Sequence, residues 1–210
     1  MKFKCKAIPG SNRRKLVLLL FAAALFYLWS QRWNLLDRLF PQEYREIVEE
    51  HCSRYQLDPC LLMAMIREES RFDSKAVSHA GAQGLMQIMP ETAEWITKKS
   101  GLGMQGKDGL QDPENNIRLG IWYLQWLRER YSGNSHAAVA AYNAGQTVVD
   151  RWLREGRWDG SLENARQIPY PETADYLRSV WRSYKIYNIL QDFSEKPLQG
   201  SVDYAILLYA

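Results

Sequence analysis

The sequence predicts an all-α protein, and three observations lead to that class. Apolar residues recur at helical spacing along most of the chain after Pro41, as in "NNIRLGIWYLQWL". Asp58-Pro59 and Asp112-Pro113 each combine an N-cap residue with proline at the first helical position, which is a typical helix start. Before the tail, no stretch alternates apolar and polar residues over the length of a strand. In the tail, "YAILLYA" suits a short strand or a packed end.

The amino terminus predicts an export or anchoring segment. Six cations and no acid in residues 1–15 precede "LVLLLFAAALFYLW", which is shorter than the ~20 residues of a typical membrane span. The uncharged run extends to Gln31, and "ALFYLWSQRW" offers no small-x-small cleavage site. We therefore predict an uncleaved single-pass anchor over residues 1–31, with the rest of the chain on the extracytoplasmic side of the cell membrane. A cleaved signal peptide, giving a secreted form, is the alternative.

Charge and cysteine content narrow the classes of partner. Removing the six amino-terminal cations from the net charge of +3 leaves −3 for residues 16–210, and no basic patch suggests nucleic-acid binding. Cys52 and Cys60 lie in the exported part, where a disulfide and two packed free thiols both remain open. Together with His51 they do not form a zinc spacing. We expect a monomer without metal or cofactor.

After a predicted linker over residues 32–41, helical segments follow one another to about residue 190. A Gly-, Ala- and Ser-containing stretch at 74–84 and the glycine-rich stretch at 100–112 predict loops. The apolar surface of the helix that begins at Pro113 is wide, so we expect this helix to be central. No role is assigned to the tail, residues 191–210. The predicted helices cover residues 42–55, 59–70, 90–100, 113–131, 135–144, 146–155 and 172–190.

One acid falls on the apolar side of the predicted helix 59–70. Projected at about 100° per residue from Leu61, Glu69 lies at about 80°, in the middle of the apolar arc. Glu68 lies at about 340°, at the edge of that arc, and is interpreted as a solvated residue. A buried, unpaired carboxyl keeps its proton, as a general acid requires. A structural Glu69, bonded to an arginine or a helix N-terminus from elsewhere, is the other interpretation.

Four stretches in register resemble the lytic murein transglycosylases of the soluble type, a goose-type lysozyme-like family. They are "AMIREESRFDSKAVSHAGAQGLMQIMPETA", "NNIRLGIWYLQWL", "AAYNAG" and "IPYPETADYL". The resemblance covers residues 42–190 and implies a compact lysozyme-like helical domain acting on peptidoglycan. It implies that Glu69 protonates the oxygen between N-acetylmuramic acid and N-acetylglucosamine, and then acts as base to form the 1,6-anhydro ring.

The resemblance also implies a set of substrate-binding side chains. Ser78 would orient the acetamido group or Glu69, while other members line the cleft. Structural roles are the alternatives for three of these residues. Met89 and Tyr176 would then be core residues, and Asn143 would belong to a helix C-terminal turn. The implied binding residues are Ser78, Gln87, Met89, Tyr142, Asn143, Glu172 and Tyr176.

Two other functions remain open. A hydrolytic muramidase would keep Glu69 and let water intercept the intermediate, with Asp73 as the obvious local candidate for a second carboxylate. A non-catalytic peptidoglycan-binding protein would keep only the cleft. Peptidoglycan strands are the expected partner in every case.

Overall fold

The computed structural model describes residues 10–104 and 109–195, in which helices dominate and the all-α prediction is confirmed. Two short 3₁₀ turns, Gly109–Gln111 and Ala165–Gln167, accompany the helices. The β pairing of the described residues consists of isolated bridges, Val77 with Gln83 and Gln83 with Ile88. The helices are α1 Gly10–Leu39, α2 Arg45–Tyr55, α3 Pro59–Ser70, α4 Pro90–Ser100, α5 Pro113–Arg130, α6 Ser135–Ala144, α7 Gln146–Arg154 and α8 Pro171–Glu195.

The chain divides into two units, residues 1–41 and 42–210. In the first, α1 continues through most of the predicted linker and ends at Leu39. The apolar side chains from Leu16 to Tyr27 are exposed. Within the described residues, no helix combines the length and the apolarity that crossing a membrane requires. Of the six amino-terminal cations, Lys2, Lys4 and Lys6 lie outside the described part, and Arg13, Arg14 and Lys15 lie in α1.

In the second unit, α3 is the most deeply enclosed helix. All seven residues from Cys60 to Ile66 are buried, because α3 packs against both α2 and α8. The start of α3 is fixed locally: the Asp58 carboxylate accepts a hydrogen bond from the Cys60 amide at 2.9 Å, and Pro59 follows the cap. Helix α3 ends at Ser70, and the C-cap residue Arg71 adopts a left-handed conformation with φ 54°. The loop towards α4 therefore begins at the C-terminus of a buried helix.

Helix α5 is the second central element, as its wide apolar surface predicts. It packs against α2, α4 and α6, while α6 also contacts α7 and α8. The Asp112 carboxylate caps α5 by accepting from the Asn115 amide at 2.9 Å. Helix α8 runs five residues past the predicted boundary at 190, to Glu195. Most of the predicted tail, residues 196–210 with "YAILLYA", lies outside the described part.

Cys52 and Cys60 are both buried free thiols, so the open question of a disulfide is answered for this structure. Burial raises the pKa of the Cys52 thiol to about 12. The Cys60 thiol donates a hydrogen bond to the Gln191 side chain on α8, at 2.8 Å. The two cysteines serve as small packing residues between α2, α3 and α8.

Candidate active site

Glu69 occupies the last turn of α3, at the point where this buried helix approaches solvent. Its exposure is intermediate, in contrast to the fully buried residues just before it. Desolvation raises the pKa of the Glu69 carboxyl to about 7, and the neighbouring charge of Glu68 adds to this rise. Near neutral pH, Glu69 is therefore present in both its neutral and its ionised form. Such a group can donate a proton and take one back.

Tyr176 opposes part of that rise. Its hydroxyl donates a hydrogen bond to Oε1 of Glu69 at 2.6 Å, and this bond lowers the pKa of the carboxyl. Burial and the adjacent Glu69 raise the pKa of Tyr176 well above its ordinary value, so the phenol keeps its proton and remains a donor. Tyr176 is thus in direct contact with the candidate acid. An interpretation of Tyr176 as core alone does not account for that contact.

Tyr142 forms a second aromatic wall near Glu69. Its hydroxyl donates to the Met86 carbonyl at 3.0 Å, and its ring lies 5.3 Å from that of Tyr123. Burial and then the charge of Glu69 raise the pKa of Tyr142 well above its ordinary value. Among the described side chains, Tyr176 is the hydrogen-bond partner of the Glu69 carboxyl, and no arginine pairs with it. The structural interpretation needs an arginine or a helix N-terminal amide as the partner of Glu69, and the described residues place neither in hydrogen-bonding contact with it.

Glu68 is not the solvated residue that its place on the helix predicts. Its side chain is 19% exposed, and its carboxylate accepts hydrogen bonds from Arg67 at 2.5 Å and from Ser183 at 2.6 Å. The prediction is wrong because α8 covers the edge of the apolar arc where Glu68 lies. Glu68 joins α3 to α8 and interacts electrostatically with Glu69.

Ser78 and Gln87 organise the loop between α3 and α4. The Ser78 hydroxyl accepts from the Ala82 amide at 3.0 Å and is exposed. The Gln87 amide nitrogen donates to the carbonyl of Gly84 at 2.8 Å and to that of Ala76 at 3.2 Å. Gln87 itself has a left-handed backbone, with φ 46°. Both side chains therefore stabilise the loop to which they belong through hydrogen bonds to its backbone.

The remaining predicted residues lie on two helix starts and one helix end. Met89 caps the start of α4 and has intermediate exposure, so it is not a core residue. Asn143, in the last turn of α6, accepts a hydrogen bond from the Thr173 hydroxyl of α8 at 2.7 Å. Glu172 is exposed in the first turn of α8. The Asn143–Thr173 contact therefore connects the two helices that carry Tyr142 and Tyr176.

Asn116 is an organising residue that the sequence analysis missed. It is fully buried on α5, where its carbonyl accepts from the Met86 amide at 2.7 Å. Its amide nitrogen donates at 2.8 Å to the carbonyls of Gln83 and Leu110. The signal was available in "ENNIRLG", because an asparagine on the buried side of an apolar helix needs polar partners.

Ser70 was missed as well. Its hydroxyl donates to the Leu85 carbonyl at 2.9 Å and so fastens the loop to the end of α3, next to Glu69. Asp73 is exposed, and its carboxylate accepts from the Lys75 amide at 2.8 Å within a turn. It is therefore engaged in the turn that follows α3. Among the described residues, no group of three or more His, Cys, Asp or Glu could hold a metal ion.

The chain is similar in sequence to proteins of a known family. The family model described as Transglycosylase SLT domain matches residues 46–164. The soluble lytic murein transglycosylase of Escherichia coli (strain K12) is 36% identical over 151 residues, which are 70% of this chain and 23% of that protein. The membrane-bound lytic murein transglycosylase C of Histophilus somni (strain 2336) is 29% identical over 174 residues, 72% of this chain and 47% of that protein.

Solved structures agree with these sequences. An inactive mutant of the lytic transglycosylase Slt from Pseudomonas aeruginosa superimposes with a TM-score of 0.69 at 35% identity, covering 75% of this chain and 26% of that one. The 70 kDa soluble lytic transglycosylase from Escherichia coli gives 0.70 at 32% identity, covering 77% and 26%. The chain thus spans about a quarter of the length of these soluble relatives. With more than half of its residues matched by the family model, the chain belongs to the transglycosylase SLT domain family.

Proposed function

We propose that this protein is a peptidoglycan lytic transglycosylase that cleaves the β-1,4 bond between N-acetylmuramic acid and N-acetylglucosamine. The observation that carries the proposal is a single half-buried carboxyl, Glu69, whose pKa of about 7 lets it act as both acid and base. The names of the relatives, lytic murein transglycosylases, support the same reaction class.

The chemistry proceeds in two steps on one residue. Neutral Glu69 gives its proton to the glycosidic oxygen, the bond from that oxygen to the muramic C1 breaks, and the substrate's acetamido group stabilises the oxocarbenium-like centre. Ionised Glu69 then takes the proton of the muramic C6 hydroxyl, whose oxygen bonds to C1. The 1,6-anhydro ring closes, no water is consumed, and Glu69 returns to its neutral form.

The state of the other nearby acids supports the transglycosylase over a hydrolase. A retaining glycosidase needs a second carboxylate about 5 Å from the first, and an inverting one needs a base that holds water. Glu68 is already bonded to Arg67 and Ser183, while Asp73 binds its own turn. Both carboxylates have other hydrogen-bond partners, which disfavours a nucleophilic or basic role beside Glu69.

We assign the substrate-binding walls to the predicted residues on each side of Glu69. Amide and hydroxyl groups suit the acetamido and hydroxyl groups of the sugars, and flat rings suit their apolar faces. Ser78, Gln87 and Met89 belong to the wall formed by the loop before α4, which ends at the N-cap residue Met89. Tyr142 and Asn143 belong to α6, and Glu172 and Tyr176 to α8.

The test is to digest purified peptidoglycan with the full chain and to identify the released muropeptides by mass spectrometry. Products ending in anhydromuramic acid, one water lighter than hydrolysis products, are expected. Glu69→Gln keeps the shape of the side chain and is expected to abolish cleavage while binding to sacculi persists. Reducing-end muramic acid would make the protein a hydrolytic muramidase, and cleavage by Glu69→Gln would refute the assignment of the acid.

We further propose that the amino-terminal segment attaches the enzyme to the extracytoplasmic face of the cell membrane. The cationic start, the uncharged run from Leu16 and its exposed apolar side chains support this, as does the membrane-bound name of one relative. The full chain is then expected in the membrane fraction after a carbonate wash, and removal of residues 1–31 should release it. Recovery of the full chain in the soluble fraction would favour the cleaved, secreted form.

A further inference from the structure

Three tryptophans from two helices meet on one side of the second unit. Trp95 of α4 lies 5.9 Å from Trp122 and 4.9 Å from Trp126 of α5, measured between ring centres, with the rings edge to face. The residues Trp95, Trp122 and Trp126 are called the tryptophan cluster below. Trp122 and Trp126 are one helical turn apart, so both project from the same side of α5.

The tryptophan cluster lies at the surface and not in the core. Trp95 is 36% exposed and sits beside the buried side of α4, which is formed by Ala93 and Ile96. Trp122 and Trp126 have intermediate exposure. By contrast, Trp152 and Trp158 are each 1% exposed. Large aromatic side chains grouped at a surface are typical of binding sites.

The cluster contacts the candidate active site through Tyr123, which is only 8% exposed and packs beneath the surface. The ring of Tyr123 is nearly parallel to that of Trp126, with centres 6.2 Å apart, and its centre lies 5.3 Å from that of Tyr142. Tyr142 is the aromatic wall near Glu69. In addition, α4, which carries Trp95, begins directly after Met89, one of the predicted substrate-binding residues.

A polar border completes the cluster. The guanidinium of Arg130 lies 5.7 Å from the centre of the Trp126 ring and pairs with Asp150, to which Tyr131 also donates a hydrogen bond at 3.0 Å. Sugar rings combine apolar C–H faces with hydroxyl groups at their edges. An aromatic surface with charged and polar groups beside it is complementary to both parts.

We propose that the tryptophan cluster is an accessory glycan subsite, which binds sugar rings of the peptidoglycan strand at a distance from the bond that Glu69 cleaves. This inference rests on the proposed function for the identity of the strand. The rings of Tyr123 and Tyr142 lie between the cluster and Glu69 in this chain of contacts. We therefore expect the cluster to contribute to the affinity for long strands and not for short strands that occupy only the positions beside Glu69.

The test compares glycan strands of two lengths. Peptide-free strands, one tetrasaccharide and one of eight or more sugars, are titrated by calorimetry into the full chain carrying Glu69→Gln, so that cleavage does not interfere. Adding Trp95→Leu is expected to weaken binding of the long strand by roughly three- to tenfold. Binding of the tetrasaccharide should stay the same. Trp95→Phe, which keeps a flat ring, should retain most of the affinity.

Trp181→Leu provides the matched control. Trp181 is a half-exposed tryptophan of α8 that packs on His136, 4.3 Å between ring centres, at the start of α6. The Trp181→Leu substitution should leave the binding of both strands unchanged. Equal loss for short and long strands in Trp95→Leu would mean that the cluster only joins α4 to α5. No loss for either strand would overturn the subsite outright.

A second measurement keeps the test decisive if Trp95→Leu does not fold. Long strands should protect the intrinsic tryptophan fluorescence of the Glu69→Gln protein from acrylamide quenching, and the tetrasaccharide should not. Equal protection by both lengths would overturn the subsite. The outcome is separate from the proposed function, since the identity of the cleavage products is established with the unaltered protein.

Discussion

Two opposing influences set the protonation of Glu69 at the residue scale. Loss of solvent around the carboxyl favours its neutral form, while the Tyr176 hydroxyl favours the ionised form. The balance leaves the pKa at about 7, where both forms are accessible. A residue that acts first as acid and then as base needs this balance, because a strongly shifted pKa would favour one step at the expense of the other.

Tyr176→Phe tests this balance. Without the phenol hydroxyl the ionised form of Glu69 loses its donor, so the pKa of Glu69 should rise further, by roughly one unit. Since the proposed first step requires neutral Glu69, kcat/KM of the unaltered protein should fall as pH rises through about 7. This fall is the alkaline limb of the pH profile. In Tyr176→Phe the alkaline limb should move to higher pH. The measurement is the pH profile of muropeptide release.

Tyr142→Phe is the comparison for that profile. The Tyr142 hydroxyl donates to the Met86 carbonyl and not to Glu69. Its removal should therefore leave the alkaline limb in place, whatever it does to the rate. An unshifted limb in Tyr176→Phe would show that the hydrogen bond does not tune the acid.

At the scale of elements, the loop between α3 and α4 is held from three directions. Ser70 fastens it to α3, Asn116 binds it from α5, and Gln87 closes it on itself. Gly84 lies at the centre of this arrangement with φ 77°. A Cβ atom there would lie 2.2 Å from the Leu110 carbonyl oxygen and 2.3 Å from the Asn116 amide nitrogen. The loop therefore accepts only glycine at this position.

Gly84→Ala should lower the free energy of unfolding by about 2–4 kcal/mol, because steric overlap adds to the cost of positive φ. It should also reduce cleavage, since Gln87 and Met89 depend on the same loop. Gly81→Ala is the matched control: Gly81 has φ 91° in the same loop, but nothing lies within 4 Å of an added Cβ. That variant should lose only about 1 kcal/mol. Chemical denaturation of the two proteins gives the comparison.

Local signals predicted the helices well, and non-local contacts account for what was missed. The caps at Asp58 and Asp112 lie within a few residues of the amides they bind, so the starts of α3 and α5 could be read from the sequence. Asn116 binds Gln83 and Met86 from another part of the chain, and no local pattern encodes that pairing. The same reason explains Glu68, which is covered by a helix more than a hundred residues later.

The candidate site could be predicted only as far as helix geometry and motif order indicate it. The projection selected Glu69 over Glu68 from α3 alone. It could not show that Tyr176 lies 2.6 Å from the carboxyl, since α8 reaches α3 only through the tertiary fold. The ends of α1 and α8 lack a sequence signal, and both helices run further than predicted.

At the scale of the whole molecule, the raised pKa of Glu69 is a cost in stability. In the unfolded chain the carboxyl has its ordinary pKa of 4.5, and in the folded protein about 7. Below pH 4.5 the group is neutral in both states and the cost is absent. The cost grows as pH rises from 4.5 and is complete above about 7, because only the unfolded state ionises freely over that interval.

Glu69→Gln should therefore stabilise the protein at alkaline pH. We expect a gain of about 1–3 kcal/mol at pH 8, after allowance for the partial exposure of the site, and little change at pH 4. Denaturation at the two pH values measures the difference. The exposed Glu172, changed to Gln, should alter stability by less than about 0.5 kcal/mol at either pH. An equal gain for Glu69→Gln at both pH values would contradict the linkage.

The hydrogen bond from Tyr176 also makes the two oxygens of Glu69 inequivalent. Because the phenol donates to Oε1, the proton of the neutral carboxylic acid is favoured on Oε2, where it leaves the Tyr176 hydrogen bond intact. In the proposed reaction the leaving oxygen is then protonated from Oε2. The edge of the acid that faces the scissile bond is in this way selected by a hydroxyl group 107 residues further along the chain.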